Sequence, residues 1–249
     1  MTTPRPLYRF YQVPACWLSW FVFGAVGLML NAVCAVMLLF PHRERRGRAV
    51  RAMISRLFRA WAGWLHAVRL IYVEWVGFTP EALAGPAVYI SNHPGLLDAT
   101  FVLARLPDAI CIFKPEIIRN PALGPAALMG GYVSGDSGVD LIRDVAERIA
   151  EGRSLLIFPE GTRTAPGAKL NPLKPGFALI ATRARVPVRL IVIRAPRDLV
   201  PKGWPWWRAP DFPMTVEVEL LGDLLAGPGE SAAELTARAG RQISVALAR

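Results

Sequence analysis

Apolar residues along this chain fall into three regimes. From Trp17 to Phe40 they run for 24 residues without a charge, and Asn31 is the most polar member. With about 1.5 Å of rise per residue, such a helix is long enough for a hydrocarbon core of roughly 30 Å. From Val50 onward, Met53, Ile54, Leu57, Phe58, Trp61, Leu65, Val68 and Ile71 recur at helical spacing. Arg51, Arg56, Arg59 and Arg69 lie mostly on the other side of that helix. Past residue 70, short apolar runs alternate with helical periods.

Those runs predict strands over 71–76, 87–91, 109–113, 154–158, 187–193 and 214–220. The periods between them predict helices over 95–106, 121–129, 139–151, 176–185 and 232–248. Ser231 and Glu234 have the spacing of a capping box at the start of the last helix. The alternation implies an α/β fold: a mixed, largely parallel sheet flanked by helices. It would be preceded by an N-terminal hydrophobic membrane helix or hairpin and a basic amphipathic helix. The expected organisation is a lead over 1–16, a membrane segment over 17–40, a basic interfacial helix over 41–70 and a catalytic domain over 71–249.

Charge sharpens the picture near the membrane segment. The chain carries a net +10, and residues 41–72 hold eight Arg against one Glu. Basic charge beside an apolar segment suits anionic lipid, at roughly 1 kcal/mol per residue close to the surface. It also places the following chain on the cytoplasmic face of a membrane, here expected to be the bacterial inner membrane. A cleaved leader would need a shorter apolar run and a small-x-small site, and neither is present. The helix after Val50 could lie in the interface or pack on the domain core. No nucleic-acid module is visible. Cys16, Cys34 and Cys111 are isolated, with neither disulfide nor metal spacing, and no metal is expected.

The chemistry concentrates in two loops that leave predicted strands. The first is Ser91-Asn92-His93-Pro94-Gly95-Leu96-Leu97-Asp98. A carboxylate at Asp98 can accept the Nδ1 proton of His93, fix the tautomer and leave Nε2 free as a base. The competing reading is a capping histidine and a solvated aspartate. The second loop is Phe158-Pro159-Glu160-Gly161-Thr162-Arg163. Arg163 can fork onto phosphate or carboxylate oxygens, and Glu160 can accept from hydroxyls. A local Glu–Arg surface pair is the alternative. In parallel sheets such loops meet at the carboxyl ends of the strands.

Taken together the two loops resemble the glycerolipid acyltransferases, the His-x4-Asp family. Asn92, His93 and Asp98 match the first block of that family, and Phe158 to Arg163 match its Phe-Pro-Glu-Gly-Thr-Arg block in full. Lys114-Pro115-Glu116 resembles the lysine block between them, and Val186-Pro187-Val188 the last block. The stretch Leu170 to Ala181, with Lys174 and Gly176, resembles the continuation. The resemblance covers about residues 70–195.

It implies an O-acyltransferase. His93, supported by Asp98, would deprotonate an acceptor hydroxyl that attacks an acyl thioester. Lys114 and the turn Glu160, Gly161, Thr162 and Arg163 would hold the acceptor, a lysophospholipid such as 1-acylglycerol-3-phosphate. The co-substrate would be acyl-CoA or acyl carrier protein, the partners membrane lipids, and no cofactor would be required. Two departures bear on the acceptor. Asp136 stands about where the family often has a phosphate-binding arginine, for which Arg143, Arg163 or Lys169 could substitute. Arg189 follows Val188 where a second proline is common. The same chemistry on another hydroxyl lipid, or a membrane-anchored lipid binder without turnover, are the alternatives. Gly135-Asp136-Ser137-Gly138 is similar to a serine-protease loop, but Ser137 is expected to cap the helix that follows it.

Overall fold

Val, Ile and Leu dominate the runs that become strands, and burial shows why. In the computed structural model β2 (Val88–Ser91) is buried along its whole length, and β6 (Val188–Arg194) at all but its last residue. A central parallel strand is covered on both faces, so it reads as a continuous apolar run. By contrast β7 (Met214–Leu224) alternates buried and more open positions over its first half. The remaining strands are β1 (Ile71–Val76), β3 (Ala109–Phe113), β4 (Val133–Ser134) and β5 (Ser154–Ile157). The sheet order is β1-β7-β6-β2-β5-β3-β4. Every neighbouring pair is parallel except β6–β7, which is antiparallel and carries a bulge at Leu190/Ile191. The structure describes all residues except 1–5, 41–42, 121–122, 136–137, 197–198, 201–202, 204 and 206–207.

Two helices precede the sheet, α1 (Pro6–Met37) and α2 (Arg43–Ala67). The others are α3 (Asp98–Leu103), α4 (Pro115–Arg119), α5 (Gly124–Met129), α6 (Gly138–Ala150), α7 (Gly176–Ala184) and α8 (Ala232–Ala246). Phe101, Ile149, Phe177 and Ile243 are buried from these helices into the core. The predicted capping box starts α8: Ser231 Oγ accepts from Glu234 N at 3.2 Å, and Glu234 Oε2 accepts from Ser231 N at 2.8 Å.

Up to Met37 the uncharged run lies within α1, a single helix that starts well before Trp17, and Leu38 to Phe40 form the turn after it. Phe10 to Met37 has a mean hydropathy of 2.0 in its most apolar window, only 11% of which is buried. Phe10, Phe21, Met29 and Leu39 point outward. The opposite side carries buried polar residues, and two of them, Asn31 and Ser19, dock the helix on the domain. Asn31 Nδ2 donates to Gly27 O at 2.9 Å, and its Oδ1 accepts the N–H of Ala126 in α5 at 2.9 Å. Ser19 Oγ accepts from Trp64 Nε1 at 2.9 Å, and Phe23 packs on Trp61 with ring centroids 4.5 Å apart. So α1 lies against the domain and exposes one apolar flank.

The helix α2 packs on the core through Val50, Ile54, Trp61 and Leu65. Arg56 and Arg59 are exposed as expected, but Arg51 is not on a solvated face. It is 5% exposed, reaching Asp108 at 2.6 and 2.7 Å and the Gly130 carbonyl at 2.9 Å. A guanidinium satisfies several buried acceptors at once, which explains an arginine at an inward helical position. Replacing Arg51 with Ala leaves the Gly130 carbonyl unpaired and Asp108 without its closest cation. We expect a loss of about 2–3 kcal/mol, read as a lower urea midpoint at constant m-value.

Candidate active site

At the carboxyl end of β2 the chain leaves the sheet through Asn92. The side chain of Asn92 mimics a strand residue: Nδ2 donates to Ile193 O at 2.9 Å, and Oδ1 accepts from Ile193 N at 2.8 Å. This clamps the turn to β6 and aims the next residue, His93, outward. His93 Nδ1 lies 2.8 Å from Asp98 Oδ2, which also accepts the Gly95 N–H at 2.7 Å. The imidazole stacks on Phe158 with centroids 4.3 Å apart. Its side chain is 20% exposed while that of Asp98 is fully buried. Nδ1 is therefore engaged inside, and the ring retains an accessible edge.

Asp98 opens α3 and is not in a second turn of a helix starting at residue 95. Residues 94–97 form a turn instead, which the Asp98 carboxylate closes by capturing Gly95 N. There is no room for a side chain at Gly95. An added Cβ would come within 2.6 Å of Leu199 O and 3.3 Å of Asp98 Oδ1. Burial pushes the Asp98 carboxyl up, against the opposing pull of His93 and the Gly95 N–H; the Glu160 charge adds to the rise. Asp98 Oδ1 is buried and has no hydrogen-bond partner among the described residues.

The second loop meets the first from β5, the strand beside β2. Glu160 is 4% exposed. Its Oε1 accepts from His93 N at 2.8 Å, both oxygens lie within 3.0 Å of Thr164 Oγ1, and Oε2 accepts from Asn171 N at 2.9 Å. Thr164 N in turn donates to His93 O at 2.7 Å. Gly161 has φ +69, and the Lys174 side chain crosses over it; an added Cβ would meet Nζ at 2.8 Å. Arg163 Nη1 donates to Val200 O at 3.0 Å. Val200 is a β-branched residue at φ +44, a conformation that costs on the order of 1–3 kcal/mol.

The structure thus brings His93, Asp98 and Glu160 into one hydrogen-bonded unit and sets Gly161, Thr162 and Arg163 beside it. Lys114 stands exposed at the carboxyl end of β3, on the same edge of the sheet but separated from β2 by β5. Arg143 faces Asp140 at 3.3 Å and Asp144 at 3.7 Å on the surface of α6, and Lys169 is exposed. Arg189 is part of the scaffold: it bonds Asp223 at 2.8 Å and Tyr89 Oη at 2.9 Å, at the start of β6 and away from the site edge. Asp136 and Ser137 lie outside the described residues.

Thr164, Asn171 and Val200 were not singled out from sequence. The first two follow the Glu-Gly-Thr-Arg turn closely enough to have been suspected as its supports. Val200 gave no signal. An apolar cavity adjoins the site between α1, α2 and the Asp98 turn, lined in part by Trp20, Trp61, Leu97, Val200 and Phe212.

Comparison with known proteins agrees with this arrangement. The model of the family described as Acyltransferase matches residues 73–194. A 1-acyl-sn-glycerol-3-phosphate acyltransferase of Helicobacter pylori is 33% identical over 68% of this chain and 68% of its own length. A lyso-ornithine lipid O-acyltransferase of Pseudomonas aeruginosa is 32% identical over 82% of this chain and 76% of its own. A 1-acyl-sn-glycerol-3-phosphate acyltransferase of Cocos nucifera is 28% identical, and the chain spans 58% of that protein's length. In fold, the chain resembles the crystal structure of PlsC, a 1-acyl-sn-glycerophosphate acyltransferase from Thermotoga maritima. The TM-score is 0.74 at 20% identity, over 95% of both chains.

Proposed function

Because the chain belongs to the Acyltransferase family, we propose that it is a membrane-associated O-acyltransferase. It moves an acyl chain from a thioester, acyl-CoA or acyl carrier protein, to a hydroxyl of a lysophospholipid such as 1-acylglycerol-3-phosphate. The observation that carries this reading is the His93 Nδ1–Asp98 Oδ2 pair at 2.8 Å on a ring that keeps an accessible edge.

In the first step Nε2 of His93 takes the hydroxyl proton as the acceptor oxygen attacks the thioester carbonyl. The tetrahedral intermediate then collapses. The new C–O bond stays, the C–S bond breaks, and the imidazolium returns the proton to the departing thiolate. The negative charge of Asp98 steadies the imidazolium between these steps. Arg163 and Lys114 supply positive charge for the acceptor's anionic head, with Gly161 and Thr162 shaping the turn. The outward flank of α1 sits in lipid, with the exposed Arg56 and Arg59 of α2 toward the cytoplasmic surface.

A second acceptor is favoured by one feature. In the sequence, Asp136 stands about where the family often has a phosphate-binding arginine. A carboxylate there suits a cationic head such as an ornithine ammonium, and the Pseudomonas aeruginosa relative acts on a lyso-ornithine lipid by name. Thiol release from acyl-CoA by the full chain in lipid vesicles tests both acceptors. We expect lysophosphatidate to be preferred by at least about tenfold in kcat/KM, roughly 1.4 kcal/mol. The reverse preference moves the acceptor to the second reading. Release no faster than with His93→Ala, whatever the acceptor, leaves only a lipid binder.

A further inference from the structure

We propose that Glu160 is a positioning residue that fixes the backbone of His93, and that it does not contact the acceptor. The inference rests on the acyl-transfer reading of His93. Family resemblance places Glu160 in the acceptor-holding turn, yet its carboxylate is buried and already committed. Three donors converge on it: His93 N, Thr164 Oγ1 and Asn171 N, all within 3.0 Å. A carboxylate has about four lone-pair directions, and these three donors make four contacts with it.

What the carboxylate holds is specific to catalysis. His93 has two backbone polar groups, and both are taken by one turn: Glu160 Oε1 receives its N–H, and Thr164 N gives to its carbonyl at 2.7 Å. Asp98 fixes the ring from a third direction through Nδ1, and Phe158 backs its face. The donor groups meet a charged acceptor, which makes these bonds roughly twice as strong as neutral ones. Without Glu160 the N–H of His93 loses its acceptor, and the two loops keep only the bond from Thr164 N to the His93 carbonyl. The imidazole can then drift, and about 1 Å of misplacement costs on the order of 10² in rate.

Steady-state kinetics with the acceptor varied separates positioning from binding. In the full-length chain, Glu160→Ala is expected to lower kcat by about 30- to 100-fold with acceptor KM within about threefold of wild type. Glu160→Gln keeps a carbonyl oxygen for His93 N and is expected to recover at least about tenfold of that loss, again at unchanged KM. A tenfold or larger rise in acceptor KM with kcat preserved, in either variant, overturns the proposal. So does a Gln variant as impaired in kcat as the Ala variant. If Glu160→Ala fails to fold, Glu160→Gln alone decides: near-wild-type KM with a modestly lower kcat supports positioning, and a raised KM defeats it. His93→Ala is the control for the underlying reading. If it turns over at an undiminished rate, both ideas fall; if its rate falls by about 10²-fold or more while the Glu160 variants change only KM, the positioning role alone falls.

Discussion

Replacing His93 with Ala is expected to lower the rate of acyl transfer by a factor on the order of 10²–10⁴, the usual contribution of a well-placed general base. The ring is the one group that Asp98, Phe158 and the Glu160 turn jointly orient, so nothing adjacent is arranged to replace it. Acceptor KM should change little, because the proposed acceptor contacts lie on Arg163 and Lys114. Stopped-flow or endpoint detection of released thiol checks the rate, and a thermal melt checks that the variant is folded. Undiminished turnover in a folded variant would refute the mechanism.

Changing Asp98 to Asn is expected to cost on the order of 10³–10⁴ in kcat, by the tautomer and charge argument established for histidine–aspartate pairs in serine proteases. The imidazolium loses its buried counter-charge, and the amide nitrogen must occupy a fully buried site. The two changes act on one unit, so the double variant should be hardly worse than the worse single one. Stability gives an independent readout. Burial makes the Asp98 carboxyl hold its proton to higher pH in the folded chain than in the unfolded one. The folded state therefore binds more protons across a window that opens near pH 3.9, roughly the unfolded value, and extends up to the folded one. The contribution of Asp98 to stability is complete below that window and is lost as pH rises through it. Asp98→Asn should remove this decline. Urea denaturation at a series of pH values would show a flatter profile for the variant; an unchanged slope would argue against a raised carboxyl.

Burial and sequence distance explain what the sequence could and could not reveal. The central strands were legible because covering both faces demands runs of Val, Ile and Leu, as in Leu190 to Ile193. The strand β4 was missed because two residues cannot display a period, and α4 because five residues starting at Pro115 cannot either. The start of α1 was hidden because residues before Trp17 include Arg9 and Gln12, which break the apolar run while the helix continues. Burial of Arg51 was illegible because its reason, Asp108, lies far along the chain. In the site, His93 and Asp98 are five residues apart, and a local pattern sufficed. The bonds that define Glu160 and Asn92 span 67 and 101 residues, and no spacing rule reaches that far.

The hydrogen bond from Ala126 to Asn31 ties the hydrophobic helix to the catalytic body. An enzyme whose anchor were a mere tether would tolerate a foreign one. Here a chimera with an unrelated greasy segment would leave a backbone amide bare at the seam. The seat of α1 and the seat of α5 are therefore set together, and neither can be re-engineered while the other is left untouched.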